Sequence, residues 1–461
     1  MRVRSVCATL AVSALSSATP AHADFQTALR EYNAGHYDLA HTQFLALAEL
    51  GDCSSQFNLG AMALKGQGGP KDAGSGVGWL QAAAGNGCEQ LVGNKVAGLT
   101  AKLSADEARA AAGIAARYGH DALHTQGIVS PDFSCRGEAQ PSVLQAPTPE
   151  YPHLAPGTHQ GAIVITELTI GVDGLARDPE ILLAVPETGF PAAVIEAWLN
   201  SRFVPASRDG VPIESRLQAQ SLLAVEGGGG LSGWDVYRSA RQRADAGDPG
   251  AGYLVGLTAT LDASLGISPA RAGELLLGSA RDGDSRAQYW VGSQLRATAV
   301  CHSQANGAVW LRHAADGGSA SAQLLLATDL LNGEPSAAQL AEARSLLERA
   351  AMSDSFYVRK HVVALLAASP LDSLRDPGTA LTVAMKLADG EIQSDPQMFE
   401  AVGAAYAANG DFRQASAQQQ LAIRKARSLA WNTRVMAERL SAYRDARPWR
   451  GDLLARPPHA H

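Results

Sequence analysis

Over most of the chain, apolar residues return every three or four positions, and small residues crowd the same face. A recurring unit runs Trp or Leu, three residues, two small residues, two more, then Gly or Asp. Trp79 to Gly87 is one copy, and Leu275 to Gly283, Trp310 to Gly318 and Leu346 to Asp354 are others. The steps from 275 to 310 and from 310 to 346 are 35 and 36 residues, a period that marks stacked helix–turn–helix repeats. One helix pair cannot bury its own apolar face, so neighbours must stack. Small residues let the backbones approach, and Trp79 and Trp310 fill the space between pairs. A glycine after each small pair ends its helix in the left-handed conformation. Repeats are expected over 24–130 and 233–445, with a flexible tail over 446–461.

The pattern changes in the middle. Ala162 to Ile170 is β-branched and apolar, Gly171-Val-Asp-Gly174 supplies a turn, and Leu175 to Val185 reads as a second strand. Phe190 to Asn200 has helical spacing, and Arg202 to Pro205 and Pro212 to Val225 read as further strands around Asp209-Gly210. The order strand, strand, helix, strand predicts an antiparallel sheet with one helix on a face. Five prolines between Pro141 and Pro156 place a linker at 131–148, and Gly227 to Gly230 place another at 227–232. The expected fold class is therefore mainly α: helix–turn–helix repeat solenoids flanking a small α+β domain with an antiparallel sheet.

Gly51-Asp-Cys-Ser-Ser-Gln-Phe-Asn-Leu-Gly60 and Gly66-Gln-Gly-Gly-Pro-Lys-Asp72 resemble the Sel1-like repeat, a tetratricopeptide variant, and Ala287-Gln288 and Ala322-Gln323 fill the same first-helix slot. The stretch 149–226 resembles the C-terminal domain of TonB. Tyr151-Pro152, Gly161-Ala-Ile-Val164, Asp173-Gly174 and Phe203-Val-Pro-Ala206 follow that family's order, although Ser201 stands where an aromatic is usual and Trp198 lies one turn earlier. The resemblance implies protein binding without catalysis, with the last long strand as the docking edge and Ser215, Leu217 and Ala219 on one face of it. Unlike the energy-transducing members, this chain shows neither an uncleaved membrane helix nor a long Pro-rich spacer.

Met1-Arg-Val-Arg4, an apolar Val6 to Ala18 and Ala21-His-Ala23 form a signal peptide over 1–23 that predicts export to the periplasm and a mature start at Asp24. No later run is long and apolar enough to span a membrane. Loss of Arg2 and Arg4 leaves 36 basic against 45 acidic side chains, which offers no footprint for nucleic acid. Cys53, Cys88, Cys135 and Cys301 remain. An oxidising compartment permits a Cys53–Cys88 disulfide, with buried free thiols as the alternative. No phosphate loop, zinc motif or serine elbow is present, and His120 and His124 read as surface residues. The expectation is a non-enzymatic adaptor without cofactors, binding protein partners in the periplasm or outer membrane. The alternative is a structural or regulatory scaffold of the envelope.

Overall fold

The computed structural model describes residues 24–93, 95–129, 138–150, 161–223, 233–297 and 307–454. The expected signal peptide, Tyr151-Pro152, the expected glycine linker, Cys135 and Cys301 lie outside the described residues. The N-terminal block contains α1 (Phe25–Asn33), α2 (Tyr37–Ala48), α3 (Cys53–Lys65), α4 (Ala73–Ala83), α5 (Glu89–Val92), α6 (Lys95–Thr100), α7 (Ala105–Tyr118) and α8 (His120–Thr125). The central part holds β1 (Glu138–Ala139), β2 (Ser142–Gln145), β3 (Ala162–Ile170), β4 (Ala176–Val185), α9 (Phe190–Leu199), β5 (Arg202–Val204), β6 (Ala206–Arg208), β7 (Val211–Ile213) and β8 (Ser215–Leu223). The C-terminal block runs α10 (Gly233–Asp245), α11 (Pro249–Leu261), α12 (Pro269–Arg281), α13 (Ser285–Ala297), α14 (Gly307–Asp316), α15 (Ala320–Leu330), α16 (Ala337–Ala350), α17 (Phe356–Ala368), α18 (Pro377–Ala388), α19 (Pro396–Ala408), α20 (Phe412–Ser428) and α21 (Arg434–Arg444). The fold is mainly α, helical repeats around a small antiparallel sheet.

Three local devices recur from repeat to repeat. Gly51, Gly283 and Gly318 sit in the left-handed region at φ 83°, 98° and 89°, where a side chain would clash. The next amide closes each helix by bonding back five residues, Asp52 to Leu47, Asp284 to Ser279 and Ser319 to Ala314. Within a pair, glycine permits close approach: a Cβ on Gly60, Gly256 or Gly292 would stand 2.7, 2.8 and 2.8 Å from Leu80, Leu276 and Leu311. Finally, a buried glutamine in the first helix donates to the carbonyl eight residues earlier, Gln56 to Ala48 at 2.9 Å, Gln288 to Ala280 and Gln323 to Ala315 at 3.0 Å. It satisfies an acceptor that the preceding helix end leaves open. Trp79 stacks on Tyr118 with centroids 4.8 Å apart, and Trp310 is fully buried, so both serve the repeat core.

Cys53 and Cys88 form a disulfide, Cα atoms 5.6 Å apart, that ties the start of α3 to the turn after α4. Closing a loop with a sequence separation of 35 stabilises by about 3–4 kcal/mol in the chain-entropy account. Cys53→Ser with Cys88→Ser is therefore expected to bring the unfolding of the N-terminal block to lower urea by that amount, an outcome that thiol reduction of the parent should reproduce.

The main sheet has the order β4–β3–β8, all antiparallel. Two expectations change here. The linker 131–148 carries strands, because β2 pairs with β5 and β1 with β6, and β6 continues to β7. Pro141 falls between β1 and β2, where no ladder amide is needed. The segment 446–461 is packed at least as far as Leu454: the Gly451 amide donates to Ala368 O at 2.8 Å, Arg450 reaches Ala367 O, and Leu453 and Leu454 are buried. The two repeat blocks are also not separate bodies. Leu50, Leu123 and Val129 from the first share one core with Val291 and Trp310 from the second and with Ile163 and Ile165 of β3.

Candidate functional site

Every residue of β3 is buried, so the sheet is covered on both sides. On one side Val164 packs with Phe190 and Val194 of α9, and Leu168 and Ile170 pack with Phe203. Trp198 lies 6.3 Å from Phe203 between ring centroids and fills the space beside the buried Ser201. The opposite face lies against the first helices of the C-terminal pairs. Tyr253 of α11 donates to the Leu182 carbonyl at 3.1 Å, and Trp290 of α13 donates to Gln218 Oε1 at 3.1 Å. Tyr289 of α13 donates to Glu180 at 2.9 Å, joined there by the Ser321 hydroxyl of α15. Helix α17 brings Tyr357, Lys360 and His361. Tyr253, Tyr289 and Lys360 each stand five residues after the residue that caps their helix, Asp248, Asp284 and Ser355. One repeated position therefore faces the sheet along the stack.

The seam is polar as well as buried. Arg216 of β8 bonds Glu167 of β3 and lies 3.1 Å from Glu180 of β4, while Gln218 donates to Glu167 at 3.0 Å. One guanidinium thus serves two carboxylates. Burial pushes the Glu180 carboxyl up, to about 7, against the opposing pull of Arg216 and with the help of Glu167. Further along, Lys360 Nζ lies 2.8 Å from both Asp178 Oδ1 and Asp395 Oδ2, and His361 Nε2 lies 2.8 Å from Asp178 Oδ1. Burial raises the Asp178 pKa, but His361 and Lys360 outweigh it and hold the carboxyl well below its usual range. For Lys360, the two carboxylates overcome burial and raise its pKa. Asp178 adopts φ 52° beside a register shift between β3 and β4. That bulge aims its side chain at α17.

A pH dependence follows from Glu180. The folded chain holds a proton between the ordinary carboxyl value of 4.5 and about 7, whereas the unfolded chain releases it. This contribution to stability is present below 4.5 and is lost as pH rises through 7. Urea melts across that interval should show a decline on the order of 1–3 kcal/mol that is flatter in Glu180→Gln.

The residues expected to bind a partner fall on a different surface. Leu217 packs near Leu168 and Phe203, and Ala219 is 8% exposed. By strand parity, Ser215, Leu217 and Ala219 all face the side of α9, so their side chains build the domain core. The feature of β8 that remains open is its backbone edge. Nine consecutive pairs join it to β3 without a register shift, and among the described residues no other backbone hydrogen bond reaches it. The β4 edge is bulged and carries Pro179. The seam escaped sequence reading because its members are distant in the chain, yet β3 held one signal. A strand with apolar residues at successive positions, Ala162-Ile-Val-Ile165, is covered on both faces.

His120 and His124 are exposed with rings 6.1 Å apart, and among the described residues no group of three or more His, Cys, Asp or Glu is placed to hold a metal. No described helix is long and apolar enough to cross a membrane. No protein-family model and no curated protein matches the chain. Among solved structures, the chain is similar to c5321, a protective antigen present in uropathogenic Escherichia coli strains displaying an SLR fold, at 17% identity and a TM-score of 0.33, over 93% of this chain and 85% of that one.

Proposed function

We propose that this protein is a non-enzymatic, exported protein-interaction scaffold of the cell envelope, whose TonB-like sheet docks an extended segment of a partner along β8. The observation that carries the reading is the regular edge of β8, unpaired among the described residues, on a sheet whose two faces are already covered. Main-chain pairing to such an edge needs little of the partner's sequence, and the rigid seam presents the edge in one orientation. The repeats have a changed role in this reading. Their first helices hold the chain's own sheet, so partner capture does not use that surface. The Cys53–Cys88 disulfide supports an oxidising compartment such as the periplasm, as does the n-region and Ala-x-Ala site of the leader. Outer-membrane transport remains one use of such an edge.

Gln218 is bonded to Glu167 and Trp290, so a change there would disturb the seam as well as the edge. Ser221 and Leu222 are better probes. Successive amides of a strand point to opposite sides, so one of Ser221→Pro and Leu222→Pro removes an outward donor and the other a ladder donor. Affinity capture from envelope extract with the mature protein should fall at least tenfold for the outward variant without a change in melting temperature. The ladder variant should melt earlier. Capture unchanged by both, in folded protein, would remove the edge from the reading and favour a scaffold that binds through its outer repeat surfaces.

A further inference from the structure

Charge is unevenly spread along the chain. From 411 to 450 it carries nine Lys or Arg against three Asp or Glu, within totals of 38 and 45 and a formal net charge of −7. This segment is α20, α21 and the start of the packed C-terminal stretch. The two helices run antiparallel, since Gln419 donates to the Met436 carbonyl at 3.1 Å while Ala415 packs with Tyr443. Their apolar faces meet α9 through Ile195, Ile423 and Trp431. The arginines fall elsewhere. Arg413, Arg424 and Arg427 are exposed at positions i, i+11 and i+14 of α20, one stripe of a helix, and Arg434 and Arg444 are exposed on α21. Carboxylates answer Arg434, Arg439 and Arg447. Among the described residues, Arg413, Arg424, Arg427 and Arg444 have no acidic partner. The last pair of a stack needs a polar outer face, yet solvation asks for neither sign, so the excess of one sign requires its own cause.

We propose that the outer face of α20 and α21 binds the surface of a bilayer with anionic headgroups and turns that end of the chain toward a membrane. Charge complementarity selects the occupant. Guanidiniums spread along two helices match an extended field of phosphates, which attracts basic residues one by one. The pair exposes Val435 as its large apolar side chain. That is less than the buried anchor cluster of a protein interface and less than the apolar face of an inserting helix. The acidic remainder of the chain is repelled by the same surface, which fixes the orientation. The contact is independent of strand docking at β8.

The test is co-sedimentation of the mature full-length chain with vesicles of phosphatidylcholine and, separately, of phosphatidylcholine and phosphatidylglycerol in equal parts. The anionic vesicles alone should carry the protein down, and salt at about 1 M, where the screening length falls to about 3 Å, should release it. Each basic residue beside an anionic surface strengthens binding about fivefold, so Arg413→Gln, Arg424→Gln and Arg427→Gln together should weaken it about a hundredfold without moving the melting temperature. Arg109, Arg271 and Arg312 are exposed on other helices. Their joint exchange to glutamine removes the same net charge and should leave vesicle binding unchanged. Inorganic phosphate should compete no better than chloride at equal ionic strength. Variants that lose partner capture at β8 should still bind vesicles, so failure of the edge and failure of this surface are told apart. The proposal is overturned if anionic vesicles leave the chain in solution at low salt, if neutral vesicles bind it as well, or if the two triple variants lose binding equally. Competition specific to phosphate would also overturn it, by showing a discrete anion site in place of a surface contact.

Discussion

Replacing Lys360 with methionine is expected to cost about 3–5 kcal/mol, the range for removing one partner of a buried ion pair. Lys360 is fully buried, and its ammonium lies between Asp178 on the sheet and Asp395 at the start of α19, with Gln397 Oε1 at 3.3 Å. Methionine conserves the apolar stem and much of the volume, so the loss reports the charge. Asp395 keeps its bond from the Gln397 amide. Asp178 keeps His361, and the sheet loses the ammonium that linked it to Asp395. Since a domain is stable by only about 5–15 kcal/mol, urea unfolding should move to markedly lower denaturant, and Lys360→Met with Asp178→Asn and Asp395→Asn should recover part of the loss. An unchanged midpoint for the single variant would show that the seam is not under charge control.

The second large effect is expected from Trp310→Ala, at about 3–5 kcal/mol for truncating a large buried aromatic. Trp310 is fully buried where the N-terminal block, β3 and the C-terminal pairs share one core. Its loss should lower a single cooperative transition, because the two blocks meet there. Among the described residues its Nε1 has no hydrogen-bond partner, so Trp310→Phe, which removes an unsatisfied buried donor along with one ring, should cost about 1 kcal/mol or less. Two separate transitions in Trp310→Ala, one unmoved, would show that the blocks unfold independently.

The helix pairs were legible in the sequence because their determinants are local. A glycine that must turn left, a capping Asp or Ser and a tryptophan or leucine every 35 or so residues all act within one pair or the next. The same holds for β3, β4, α9 and β8, whose periodicity, turn residues and lengths are set by neighbours in the chain. The Cys53–Cys88 pair lay between these levels, joined by one repeat but chosen from three possible pairings.

Other features depended on contacts that no local pattern encodes. Glu167, Glu180 and Arg216 look like the solvent side of a strand, and Lys360 and His361 like the outer face of α17. They are buried because the sheet lies on the first helices of the stack, across separations such as that from Asp178 to His361. The same placement turned Ser215, Leu217 and Ala219 toward the domain core and, among the described residues, left the backbone edge of β8 without a partner strand. Proline density concealed β1 and β2, and a polar composition concealed the packed end at Leu453 and Leu454. Sequence alone thus determined which segments turn, coil or extend, since those preferences are paid residue by residue. Tertiary structure decided which faces meet, because a buried charge is stable only when a partner from elsewhere in the chain completes it.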